Sequence, residues 1–154
     1  MSAKRTTTPL PSSMPIVLVM DDEPQYLQWL FEYLAAKGFQ LEITSSLAEA
    51  ANAVKSRKYR AIIADLSVPV PPDMEGELKR SGNTYLEYPG LYVAHQARNR
   101  GYRSRQVIVY SVHDSASVKE IATRIGVCYI TKGRPRMLKE ELDSIFSYDP
   151  TKDK

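Results

Sequence analysis

Carboxylate side chains directly follow two apolar runs of the chain. Asp21 and Asp22 close the run Ile16–Met20, and Asp65 closes the run 61–64. If both runs are parallel strands, their acidic ends meet at the carboxyl edge of one sheet, where open α/β sheets place their ligands. Carboxylates about 4 Å apart repel by roughly 4 kcal/mol at an effective dielectric near 20, so this edge predicts a divalent cation site. With Mg²⁺ bound, a remaining carboxylate could accept a phosphoryl group.

Two further predicted strands also end in polar side chains. Ser111 follows the predicted strand 106–110, and Lys132 follows the predicted strand 127–131. A lysine ammonium is a compact cation that can pair with a phosphoryl oxygen, and a serine hydroxyl can donate a hydrogen bond to another. The set indicates a phosphoryl-transfer site in which Asp65 is the nucleophile and a metal ion neutralises the developing charge.

Short apolar runs alternate with helical patterns over residues 15–147, which is typical of a parallel sheet built from repeated strand–helix units. The predicted strands cover residues 16–20, 39–44, 60–64, 106–110 and 127–131. Helices are predicted to begin near residues 24, 46, 91, 117 and 137. We therefore predict a flavodoxin-like α/β fold, a three-layer sandwich with a five-stranded parallel sheet in the order 2-1-3-4-5 and five helices.

Residues 66–89 interrupt this alternation of strands and helices, because they include three closely spaced prolines and show no sustained periodicity. A strand-to-helix connection in such folds is normally about 2–6 residues long, so we predict an inserted loop beside the site. The interpretation we favour is a lid or partner-docking element, and the alternative is a tolerated disordered loop. Outside the domain, residues 1–14 are rich in Ser, Thr and Pro and predict a flexible arm, while residues 148–154 predict a charged tail.

The length, net charge and cysteine content limit the classes of protein to which the chain can belong. A chain of 154 residues predicts a single domain, and a net charge of +3 is too mild to indicate nucleic acid or membrane as a partner. No apolar stretch approaches the ~20 residues that a membrane span needs. The single cysteine, Cys128, fits a reducing compartment, so we expect a cytoplasmic protein.

Four motifs at successive strand ends together resemble the receiver domain of two-component response regulators. They are residues 17–24 (VLVMDDEP), 62–69 (IIADLSVP), 107–111 (VIVYS) and 129–132 (YITK). The resemblance covers roughly residues 15–147. Gly90 resembles the glycine that opens the third helix of that family, which places the insertion before it.

The resemblance implies roles for the acidic residues. Asp65 would accept a phosphoryl group from a histidine kinase or a histidine phosphotransfer protein. Asp22 would ligate Mg²⁺ directly, Asp21 would assist through water, and Asp65 and the backbone carbonyl of Ser67 would be further metal ligands. Lys132 would pair with the Asp65 carboxylate and then with the phosphoryl group.

The resemblance also implies a switch. Ser111 would hydrogen-bond the phosphoryl oxygen, and Tyr129 would turn inward as Ser111 moves. The fourth predicted helix, fifth strand and fifth predicted helix would then bind a downstream protein target, and the same face is a candidate homodimer interface. Such a domain is a signalling module rather than an enzyme, with only self-catalysed phosphoryl transfer and autodephosphorylation.

The residue after Lys132 departs from the pattern of the receiver family. Gly133 follows Lys132 where the family usually has a proline in a cis bond, so the sequence leaves a cis or a trans bond open there.

Three rival functions would place other demands on the same residues. A haloacid-dehalogenase phosphatase needs a second aspartate two residues after its nucleophile, and Ser67 stands there. A flavodoxin-type flavin site would be repelled by Asp21, Asp22 and Glu23. The closest rival is a pseudo-receiver, an interaction module that works without phosphorylation.

Overall fold

The computed structural model describes residues 16–112, 115–131 and 135–147. Four features predicted from the sequence lie outside these ranges: the arm at 1–14, Lys132, Gly133 and the tail at 148–154.

Strands and helices alternate along the described residues. The strands are β1 (Ile16–Met20), β2 (Gln40–Thr44), β3 (Ala61–Asp65), β4 (Val107–Ser111) and β5 (Cys128–Thr131). The helices are α1 (Gln28–Ala36), α2 (Leu47–Ser56), α3 (Glu75–Ser81), α4 (Asn83–Glu87), α5 (Pro89–Asn99), α6 (Ala116–Ile125) and α7 (Pro135–Phe146). Short 3₁₀ turns occupy Pro24–Leu27, Pro72–Met74 and Ser104–Gln106.

The five strands form one parallel sheet in the order β2-β1-β3-β4-β5. Side chains alternate across this sheet, so each face has its own apolar layer. Leu18, Ile62 and Val109 pack against α2, α5 and α6, whereas Val17 and Ile63 pack against α1 and α7. The predicted flavodoxin-like three-layer sandwich and its strand order are confirmed.

The predicted number of helices is wrong, because seven helices lie in the described residues instead of five. The two additional helices, α3 and α4, lie within residues 66–89, where the sequence predicted an irregular loop. They are seven and five residues long, too short for a periodic apolar pattern to stand out. Gly82 separates them with a φ of +140°, a conformation that favours glycine.

The insertion is packed onto the domain. Leu78 of α3 is fully buried in the same apolar layer as α5, and Met74, Tyr85 and Leu86 pack against that layer. Burial of a leucine side chain contributes roughly 1.5–3 kcal/mol, enough to hold a short helix in place. The alternative of a disordered loop is therefore wrong for residues 72–87.

Helix α5 begins in direct contact with the end of β3. The Gly90 amide donates a hydrogen bond to the Leu66 carbonyl at 3.0 Å. A Cβ atom on Gly90 would lie 2.2 Å from the Asp65 carbonyl oxygen and 2.7 Å from the Leu66 Cα, so only glycine fits. This contact connects the inserted helices to the strand that carries Asp65.

We predict that Gly90→Ala destabilises the protein by about 3 kcal/mol, because the added methyl group overpacks rigid backbone. Chemical denaturation monitored by circular dichroism measures this loss. Gly76→Ala is the matched control: Gly76 is exposed in α3, and its added Cβ would meet only the Arg80 side chain, at 3.4 Å. We expect that control to gain roughly 0.5–1 kcal/mol from helix propensity. Equal stability of the two variants would contradict the close contact.

Candidate functional site

Three carboxylates converge at the carboxyl edge of the sheet. Asp21 and Asp22 follow β1, and Asp65 is the last residue of β3; one oxygen from each lies within 4.8 Å of the other two. The parallel pairing of Met20 with Ala64 produces this convergence, because it brings the two strand ends side by side. Asp21 is 1% exposed and Asp65 is 5% exposed, whereas Asp22 faces solvent. The predicted acidic cluster is present.

Backbone amides orient two of these carboxylates. The Glu23 amide donates to Asp21 Oδ1 at 2.7 Å, and the Ser67 amide donates to Asp65 Oδ1 at 3.1 Å. Each donor lies two residues after its acceptor, the arrangement of an Asx turn. The turn after each strand thus orients the carboxylate that precedes it.

Tyr110 also contacts the cluster, and sequence reasoning missed it. Its hydroxyl donates a hydrogen bond to Asp21 Oδ2 at 2.5 Å. Burial raises the pKa of Tyr110 well above its usual range, and the hydrogen bond to Asp21 and the charges of Asp21, Asp65 and Asp22 raise it further. Tyr110 is therefore a neutral donor at physiological pH. The only sequence signal was a hydroxyl-bearing side chain in an otherwise apolar strand, directly before Ser111.

The predicted switch residues share one face of the sheet. Ser111 ends β4, is 1% exposed and pairs with Thr131, and Val109 pairs with Tyr129. Paired residues in a parallel sheet point to the same side, so Ser111 and Tyr129 both lie on the face covered by α5 and α6. Ser111 is one residue beyond the position that pairs with Asp65, which places it at the edge occupied by the carboxylates.

The insertion reaches the vicinity of the predicted switch. Tyr88 directly follows α4 and precedes α5, and both Tyr88 and Tyr129 are partly buried against the same apolar layer. Burial raises the pKa of Tyr88, and the charge and hydrogen bond of the neighbouring Glu87 raise it further, followed by Tyr129. The insertion therefore leads directly into Gly90, which contacts the Asp65 backbone, and its residue Tyr88 packs against the same apolar layer as Tyr129.

Lys132 and the Ser67 carbonyl complete the predicted site. Lys132 lies outside the described residues. Ser67 follows β3 at the same edge and its amide binds Asp65, but its carbonyl as a metal ligand stays a prediction.

The donor set suits Mg²⁺. Mg²⁺ prefers oxygen ligands, keeps several of its waters and binds proteins through one or two carboxylates. The cluster offers carboxylate oxygens only, with two buried members and the exposed Asp22, so an ion there would face both protein and water. The residues present therefore fit the ion.

Solved structures that are similar to this chain include response regulators and their receiver domains. The response regulator TrrA from Thermotoga maritima, in complex with Mg²⁺–BeF, is 22% identical and aligns with a TM-score of 0.62 over 86% of this chain and 99% of that chain. A two-component response regulator from Clostridium difficile is 16% identical, with a TM-score of 0.65 over 91% and 100%. A CheY-like receiver domain protein from Methanospirillum hungatei is 20% identical, with a TM-score of 0.61 over 88% and 98%.

These likenesses establish the fold, which resembles that of receiver domains. No family model matches the chain, and no curated protein matches it in sequence. None of the helices in the described ranges has the length and apolar character needed to cross a membrane.

We predict that Asp65→Asn stabilises the metal-free protein by roughly 1–2 kcal/mol, because it removes one of three mutually repelling carboxylates and keeps the Oδ1 acceptor. Thermal unfolding in the presence of a chelator measures this gain. The gain should shrink when Mg²⁺ is added, since the ion stabilises the wild type by mass action. Asp73→Asn, a change of an exposed aspartate outside the cluster, should have little effect. A variant no more stable than the wild type would show that repulsion does not dominate the site.

Proposed function

We propose that this chain is a receiver domain that is phosphorylated on Asp65 in the presence of Mg²⁺. The observation that carries the proposal is the convergence of Asp21, Asp22 and Asp65 at the carboxyl edge of the sheet, beside Ser111 at the end of the next strand. The receiver fold supports it, because that edge is where open α/β sheets bind ligands.

In the proposed reaction an Asp65 carboxylate oxygen attacks the phosphorus of the donor and forms an aspartyl phosphate. The bond between phosphorus and the leaving group breaks, and its electrons leave with the imidazole of a phosphohistidine or with acetate from acetyl phosphate. The Ser67 amide on Oδ1 holds the carboxylate in one orientation, which favours attack by its other oxygen.

Asp21, Asp22, Asp65 and the Ser67 carbonyl would hold Mg²⁺, which when bound supplies positive charge to the transferring oxygens. Ser111 would donate a hydrogen bond from its hydroxyl group to a phosphoryl oxygen. Lys132, by the resemblance, would pair first with Asp65 and then with the phosphoryl group. The protein would thus act as a phosphoacceptor signalling domain rather than an enzyme.

The phosphoryl group would change the binding surface through Ser111 and Tyr129. The proposed output face consists of α6, β5 and α7, which correspond to the fourth predicted helix, the fifth strand and the fifth predicted helix. It would bind a downstream protein or a second copy of this chain. A histidine kinase or phosphotransfer protein in the cytoplasm would be the phosphoryl donor.

The insertion would serve as a partner-docking element. It is held by a buried leucine, Leu78, it leads directly into Gly90 against the Asp65 backbone, and Tyr88 packs against the apolar layer that Tyr129 also contacts. A protein that docks on α3 and α4 would therefore contact elements close to both the phosphoacceptor and the switch.

If Asp65 is the phosphoacceptor, the protein should take up a phosphoryl group from acetyl phosphate only when Mg²⁺ is present. A phosphate-affinity gel should show a shifted band for the wild type and for the control Asp73→Asn, but none for Asp65→Asn or for samples with chelator. A shifted band in Asp65→Asn would place the phosphate on another residue and contradict the proposal.

The pseudo-receiver alternative makes a different prediction for beryllofluoride, a phosphoryl mimic. For a switching receiver, beryllofluoride with Mg²⁺ should change the NMR signals of the Tyr129 ring in the wild type, with no change in Asp65→Asn. Tyr129→Phe identifies the ring signals. Unchanged Tyr129 signals in the wild type would favour the interaction module that works without phosphorylation.

A further inference from the structure

The Tyr110 hydroxyl connects two strands that are not neighbours. Tyr110 lies on β4, Asp21 follows β1, and β3 lies between those strands. Two strand spacings amount to roughly 9–10 Å, so the long tyrosine side chain crosses β3 to reach Asp21 Oδ2. Tyr110 is fully buried, and this contact lies on the core side of the acidic cluster.

Both oxygens of Asp21 therefore accept a hydrogen bond. Oδ1 accepts from the Glu23 amide at 2.7 Å, and Oδ2 accepts from the Tyr110 hydroxyl at 2.5 Å. A hydrogen bond from a hydroxyl group to a carboxylate is charge-assisted and stronger than a neutral one. The Asp21 carboxylate cannot rotate without losing one of these bonds. A carboxylate oxygen has two lone pairs, so an oxygen that accepts one hydrogen bond can also contact a cation or its water.

This arrangement discriminates between cations. Mg²⁺ demands near-octahedral geometry from few protein oxygens and their waters, whereas Ca²⁺ takes about 6–8 oxygens and often uses both oxygens of one carboxylate. A carboxylate with a donor on each oxygen is suited to contact through a single oxygen. It is poorly suited to chelate one ion with both.

We propose that Tyr110 is a positioning residue that holds Asp21 for Mg²⁺ and makes the same site less favourable for Ca²⁺. The inference rests on the proposed function, because it takes the acidic cluster as the Mg²⁺ site. Tyr110 would set the affinity for Mg²⁺ and the selectivity over Ca²⁺ through Asp21. It would touch neither the ion nor the phosphoryl group.

The test is calorimetric titration of the full chain with Mg²⁺ and separately with Ca²⁺. Tyr110→Phe keeps the ring and removes only the hydroxyl group. We expect it to weaken Mg²⁺ binding about tenfold, the lower end of the usual effect of a lost partner of a ligand. Ca²⁺ binding should weaken less, so the preference for Mg²⁺ falls. Tyr92→Phe, a change of a buried tyrosine in the opposite apolar layer, should leave both affinities unchanged.

A double-mutant cycle separates positioning from general loosening of the fold. In an Asp21→Asn background, Tyr110→Phe should cause no comparable further loss of Mg²⁺ affinity. The inference would be overturned by an unchanged Mg²⁺ affinity, by equal losses for both ions, or by the same loss in both backgrounds. Absence of Mg²⁺ binding to the wild type would overturn the proposed function as well, so the two failures are distinguishable.

A second measurement does not depend on the folding of Tyr110→Phe. The Tyr110 hydroxyl proton should give a low-field NMR signal in the wild type, because it lies in a short buried hydrogen bond. The signal should persist when Mg²⁺ is added, and it should move upfield in Asp21→Asn, since an amide oxygen is a weaker acceptor than a carboxylate. Loss of the signal on addition of Mg²⁺ would show that Tyr110 releases Asp21 and would overturn the inference.

Discussion

Repulsion among three carboxylates is the constraint on which the rest of this site depends. Asp21 and Asp65 are almost fully buried and lie within a few ångströms of each other, at the ends of paired strands. Burial of a charge is costly unless the group is hydrogen-bonded or neutralised. The protein meets part of that cost with the amides of Glu23 and Ser67 and the hydroxyl of Tyr110. Under the proposed function, a bound cation would offset more of it.

The scaffold around the cluster is closely packed. The parallel register of β1 and β3 sets the distance between the acidic residues, and both strands are buried on both faces. Helix α5 meets the end of β3 so closely that Gly90 tolerates no Cβ atom. The insertion therefore ends where the chain is packed directly against the Asp65 backbone. In this respect the inserted helices differ from an ordinary surface loop, which the domain would tolerate at little cost.

Sequence reasoning succeeded where the signal was local and failed where it depended on tertiary contacts. The strands around the site were predicted to within a residue, because fully apolar runs closed by Asp21 and Asp65 leave little choice of register. Helices α3 and α4 were missed, since each is too short to display a period and the burial of Leu78 depends on α5. Tyr110 was missed because its partner, Asp21, is 89 positions away and two strands across the sheet.

The role of Tyr110 follows from where the charge is buried. An exposed carboxylate such as Asp22 is solvated by water and needs no protein donor, whereas Asp21 has almost no access to solvent. A hydroxyl group on the core side can donate a hydrogen bond to Asp21 without obstructing the solvent side. An ion and a phosphoryl group would enter from that solvent side. Because burial and the surrounding carboxylates both disfavour ionisation of Tyr110, its proton stays available to Asp21. The same negative charge that attracts a cation thus keeps this donor neutral.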